Sequence, residues 1–161
     1  MIEVNRLKLG SGTKKYDWAI ARLDAAKIIF AMPNTYVNCS GIAARDLLQR
    51  YDLEPTGMLV VVDDFNLPLG RIRIRGSGSD GGHNGLASII EELGTEDFPR
   101  LRLGVGPLPD GVDQSDFVLG DFEQNEIESV EKMIATACEA VMFYLERGLD
   151  EAMSKYNQNP A

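Results

Sequence analysis

The sequence predicts a single α/β domain over residues 1–161, with a mixed, mostly parallel, twisted sheet flanked by helices. Three observations lead there. The chain has 161 residues, a length that supports one domain with a sizeable core. Hydrophobic residues make up 44% and charged residues 25%, so the chain has the composition of a globular protein rather than a disordered one. Short β-rich segments also alternate with amphipathic helical ones, the pattern of helices packed on a sheet.

Taken in order, residues 16–23 and 27–32 predict two strands joined by a short turn around Asp24. The second of them, Lys-Ile-Ile-Phe-Ala-Met, has the β-branched and aromatic content strands favour, and Pro33 and Asn34 end it. Residues 40–51 predict a helix, with Ser40 as N-cap and Ile42, Leu47 and Leu48 on its apolar side. The continuous apolar run 58–62 has the pattern of a strand buried on both faces. Residues 70–75 alternate Arg and Ile, so one face is buried and the other carries Arg71, Arg73 and Arg75. A glycine-rich stretch, 76–85, leads into an apolar helix over 86–93, and residues 100–105 alternate as a further strand. Two prolines mark 104–111 as a loop. Residues 123–147 predict a long amphipathic helix closed by Gly148, and a last short helix covers 149–156.

The formal net charge of −9 argues against a polyanionic partner as an average. Its distribution reverses that. Residues 1–90 carry a net of +2, residues 91–131 a net of −10, and residues 132–161 a net of −1. The arginine-bearing strand therefore lies outside the acidic segment. No apolar run reaches the roughly 18–20 residues of a membrane-spanning helix, and the first residues lack the pattern of a secretory signal. Cys39 and Cys138 are too few for a disulfide framework, which fits a reducing, cytoplasmic setting.

Chemistry concentrates in three places. Gly76, Gly78 and Gly81 formally satisfy a dinucleotide-binding G-x-G-x-x-G between strand and helix. The preceding strand exposes arginines where a first Rossmann strand should be apolar, and no acidic residue follows at the ribose position. A flexible surface loop would explain the glycines but not His83 and Asn84 among them. Asp63 and Asp64 follow the apolar run, where α/β folds gather ligands; solvated turn carboxylates are the plain alternative. Asn38 stands between a strand end and a helix start, where serving the local turn is the common role. Cys39 at a helix N-terminus raises a Cys39–His83 nucleophilic dyad, against which stands an inert, buried thiol. Two Cys and one His do not make a zinc site unaided.

Five stretches, in order, carry a resemblance. They are Pro33-Asn-Thr-Tyr-Val-Asn-Cys-Ser-Gly41, Val60-Val-Val-Asp-Asp-Phe-Asn-Leu-Pro-Leu-Gly70, Gly81-Gly-His-Asn-Gly-Leu86, Phe98-Pro-Arg-Leu-Arg-Leu-Gly-Val-Gly106 and Phe117-Val-Leu-Gly120. Together they resemble bacterial-type peptidyl-tRNA hydrolases, from about residue 15 to the C-terminus. The resemblance implies cleavage of the ester between a peptide and the 3′-terminal ribose of tRNA, which recycles tRNA from stalled translation. It implies a cytoplasmic monomer with peptidyl-tRNA as partner, no metal or organic cofactor, and no membrane. The chemistry is water attack on an activated ester, assisted by a base and by polar groups around the carbonyl. On this likeness Asn38 positions substrate and water, Asp63 orients the catalytic histidine, and Asn84 contacts the peptidyl main chain. Tyr36 and His83 belong to the same substrate-binding set. Arg73 and Arg75 face tRNA phosphates, with Arg100 and Arg102 as weaker candidates.

The family's N-terminal strand, with its G-N-P-G and R-H-N motifs, has no match here. His83, the only histidine, falls in the glycine loop and not at the base. The expectation is thus an N-terminally incomplete family member with slow or absent hydrolysis, since loss of a base costs about 10²- to 10⁴-fold. Alternatives are a non-catalytic RNA-binding relative and, behind it, a dinucleotide-binding α/β protein. Val37 stands where the family favours Met, and Asn66 where it favours Asp.

Overall fold

The computed structural model describes residues 10–11, 15–23 and 26–158. It divides into two compact units, one from residues 1–53 and 79–95, the other from residues 54–78 and 96–161. The expected turn at Asp24 lies outside the described residues.

In the first unit, β1 (Gly10–Ser11), β2 (Tyr16–Leu23) and β3 (Ala26–Pro33) form an antiparallel sheet in that order. Helix α1 (Ser40–Tyr51) follows a 3₁₀ turn, Val37–Cys39, and α2 (Asn84–Leu93) completes the unit. Polar and aromatic contacts tie the hairpin to α1. The buried Tyr16 donates its phenol proton to Asp46 at 2.8 Å, and Lys15 forms an ion pair with the same carboxylate. The bond from Lys15, then that from Tyr16, holds the Asp46 carboxyl below the usual range, while burial and Asp46 raise the Tyr16 phenol. Trp18 meets Tyr51 edge-on at 6.4 Å, with the Arg50 guanidinium 5.9 Å from the indole.

Helix α1 buries Gly41, Ala43, Ala44 and Leu48. Leu48 is buried as expected, but Gly41, Ala43 and Ala44 take the place of Ile42 and Leu47 on the packed face, where α2 approaches Gly41 closely. Ser40 does not cap it. The preceding 3₁₀ turn makes Ser40 already helical, and the cap position falls on Cys39, which offers no side-chain bond.

The second unit holds β4 (Val60–Pro68), β5 (Ile72–Arg75) and β6 (Arg100–Gly106) in the order β4-β6-β5, with α3 (Gln114–Val118), α4 (Ile127–Arg147) and α5 (Leu149–Tyr156). β4 runs parallel to β6 and β5 antiparallel to it. The α/β class with a mixed sheet is as expected, but parallel pairing is less frequent: among the described residues, β4–β6 is the parallel pair and the other pairings are antiparallel. Short connections join the antiparallel β1–β2 and β2–β3 neighbours, and the parallel β4–β6 pair has a long crossover. β5 and β6 pair antiparallel across residues 76–99, which include α2. Ile74 and Leu101 pack with Ala137, Ala140 and Ala152 of α4 and α5 as the core. Met133, Ala137 and Ala140 follow the 3–4 spacing of one helix face.

β4 departs from its expected burial on both faces. It ends the described sheet, and Val61 is 49% exposed. The strand continues through Asp63 and Asp64, so neither is a turn residue. α4 begins at Ile127, four residues later than its periodicity predicts. Glu126 bends back so that its carboxylate accepts from the Glu123 N–H at 2.8 Å, closing a turn before the helix.

Candidate functional site

In the first unit the candidate residues gather where α1 and α2 begin. Tyr36 is 87% exposed and leads into the 3₁₀ turn; its carbonyl accepts from the Cys39 N–H at 2.8 Å. Asn38 is exposed on that turn, which packs on α2. Asn84, also exposed, is the first residue of α2. The glycine stretch makes this start possible. Gly81 and Gly82 have φ of 62° and 85°, a region closed to most side chains, and the Asp80 carboxylate accepts from the Gly82 N–H at 2.7 Å.

His83 is the N-cap of α2. Its Nδ1 accepts from the Leu86 N–H at 3.1 Å, and the helix begins at Asn84, two residues before the expected Leu86. Accepting there requires a lone pair on Nδ1, so the neutral ring carries its proton on Nε2. With Nδ1 engaged in the cap, the Cys39–His83 dyad gains no support through that nitrogen.

In the second unit the strand register sorts the charged residues by face. Asp63 pairs with Leu103, and so does Ile72 from the other side; directly paired residues share a face, which here is the face of the core. Arg73 pairs with Arg102 and Arg75 with Arg100, all on the opposite face. The register therefore separates Asp63 from the arginines rather than clustering them. It also distinguishes the two aspartates. Asp64 is buried, pairs with the Arg102 guanidinium at 3.2 Å and accepts from the Asn66 N–H at 2.9 Å, so its place is structural. Asp63 is half-buried.

Arg73 and Arg75 are exposed. The two weaker arginine candidates are not available to phosphate. Arg102 is largely covered and bound to Asp64. Arg100 is 1% exposed: its guanidinium donates to the carbonyls of Glu96 (2.8 Å), Phe98 (3.2 and 3.3 Å) and Gly78, and lies 4.2 Å from the centre of the Phe98 ring. Burial, then the charge of Arg102, pushes its pKa down. Alternation alone did not reveal this carbonyl clamp. Among the described residues no three His, Cys, Asp or Glu side chains gather as metal ligands would, and no helix is long and apolar enough to cross a membrane.

The first unit thus presents exposed amides at two helix starts, and the second a half-buried carboxylate and a basic strand face, within an α/β protein with a mixed sheet. The comparisons supply the family. The family model described as Peptidyl-tRNA hydrolase matches residues 3–161, and the chain belongs to that family. A peptidyl-tRNA hydrolase of Synechococcus sp. (strain JA-3-3Ab) is 51% identical over 125 residues, covering 78% of this chain and 56% of the relative. One from Thermotoga petrophila is 44% identical over 146 residues, covering 90% of this chain and 78% of the relative. The crystal structure of peptidyl-tRNA hydrolase from Acinetobacter baumannii superposes with a TM-score of 0.86 at 27% identity, over 94% of this chain and 77% of that one. The chain thus spans little more than half the length of its Synechococcus relative.

Proposed function

We propose that the chain hydrolyses the ester joining a peptide to the 3′-terminal ribose of tRNA, acting in the cytoplasm as a single functional domain and as a monomer, without metal or cofactor. The observation that carries this reading is the placement of Asn38 and Asn84 at neighbouring helix starts of one unit, both exposed and both amides. An amide N–H₂ donates to a carbonyl whose oxygen gains charge as water attacks, and its C=O accepts from water or from a peptide N–H. Asn38 holds the ester and water, and Asn84 holds the peptidyl main chain. Tyr36 offers an exposed ring for stacking against the tRNA end, and His83 fixes the start of α2 beside it. Asp63 stands at the position of the family's acceptor for the histidine base, while the sole histidine of this sequence caps α2. Arg73 and Arg75 take tRNA phosphates.

The test is release of N-blocked peptide from peptidyl-tRNA. Asn84→Ala and Asp63→Asn should each lower the rate by about 10²-fold while leaving binding of deacylated tRNA intact. A wild-type chain that binds tRNA with steep salt dependence yet releases no peptide would point instead to an RNA-binding role, which the engagement of the sole histidine in a helix cap favours.

A further inference from the structure

Helix α1 begins without a side-chain cap of its own, because Cys39 makes no such bond. The N–H groups of its first turn have no partner within the helix. One of them, that of Gly41, donates to Ser88 Oγ at 3.0 Å across the helix–helix contact. Ser88 belongs to α2 and is 8% exposed. A buried hydroxyl of one helix therefore caps the other.

The approach that allows this is unusually close. A methyl group at Gly41 would collide with the Ser88 carbonyl oxygen, which is backbone and does not swing aside. One turn nearer the start of α2, a methyl at Gly85 would lie 2.8 Å from His83 Cε1 and 3.1 Å from Val37 Cγ2, so the Asn38 turn also rests on α2 through a missing side chain. Asn38 lies three residues before Gly41, and Asn84 one helical turn before Ser88 on the same face. The two amides are the free ends of a joint whose polar pin is Ser88.

We propose that Ser88 is a positioning residue that fixes the spacing of Asn38 and Asn84, and through it the grip on the peptidyl ester. The inference rests on those asparagines binding the substrate as proposed above. Its test needs no turnover: the probe is a non-hydrolysable, amide-linked 3′-peptidyl-adenosine, titrated against the full chain and its variants. Ser88→Ala should weaken binding about fivefold, the range of one lost hydrogen bond, and Ser88→Thr, which keeps the hydroxyl, should recover most of it. Because Ser88 acts through Asn38, adding Ser88→Ala to Asn38→Ala should weaken binding less than twofold further. A fully additive double variant, or unchanged binding in Ser88→Ala while Asn38→Ala weakens it, overturns the inference alone. If Asn38→Ala and Asn84→Ala both bind like the wild type, the site itself is misassigned and the inference falls with it.

Discussion

β5 and β6 carry the same motif to opposite ends. Each alternates arginine with an aliphatic residue, and the register sets Arg73 beside Arg102 and Arg75 beside Arg100. The β5 arginines are exposed; Arg100 is buried against three carbonyls and Arg102 is held by Asp64. Position in the sheet makes the difference. β6 has a neighbour on each side and β5 ends the described sheet, so the same side chain is enclosed on one strand and free to meet solvent on the next. A guanidinium carries five donors. On β6 protein carbonyls and a carboxylate use them, and on β5 they face solvent.

The widest separation should come from one substitution made at two registered positions. Arg100→Met should lower stability by about 3 kcal/mol, because it leaves the carbonyls of Gly78, Glu96 and Phe98 short of a buried donor. Arg75→Met should stay within about 0.5 kcal/mol; chemical denaturation of the pair measures both. Next comes the ion pair on the enclosed strand. Asp64→Ala strands Arg102 at low exposure and should cost about 2 kcal/mol, read in the same titration. The smallest effect on folding, and the one that concerns RNA, belongs to β5. Arg73→Ala and Arg75→Ala should each weaken tRNA binding and flatten its log–log salt slope by about one unit. A slope that changes for Arg102→Ala and not for these two would reverse the assignment of the strands.

These outcomes also mark where sequence pattern stops being informative. Residues 40–51 and 149–156 were legible as helices to the residue, because apolar spacing and a following turn signal are local. The Arg–Ile alternation also marks β5, although the strand begins at Ile72 rather than at residue 70. The start of α4 was not legible, since Glu126 turning back on Glu123 is a side-chain event that leaves the apolar period intact. α3 escaped notice at five residues, although Asp113, which accepts from the N–H groups of Ser115 and Asp116, is a readable cap. Among the candidate residues, Asn38, Asn84 and Asp63 stand out through motif order. Ser88 does not, because its meaning depends on Gly41, 47 positions away. Arg100 was misread for the same reason: whether a strand is central in its sheet depends on partners distant in sequence.

Trp18 is the only tryptophan in the chain. It belongs to β2, against Tyr51 and Arg50 of α1, and the unit that holds β4, β5 and β6 has none. Intrinsic indole fluorescence therefore reports on one unit alone, while far-ultraviolet dichroism sums the helices of both. Denaturation followed by the two signals gives coincident curves if the molecule melts in one cooperative step. It gives separated curves if the hairpin and its helices let go at a different denaturant concentration from the arginine-bearing sheet.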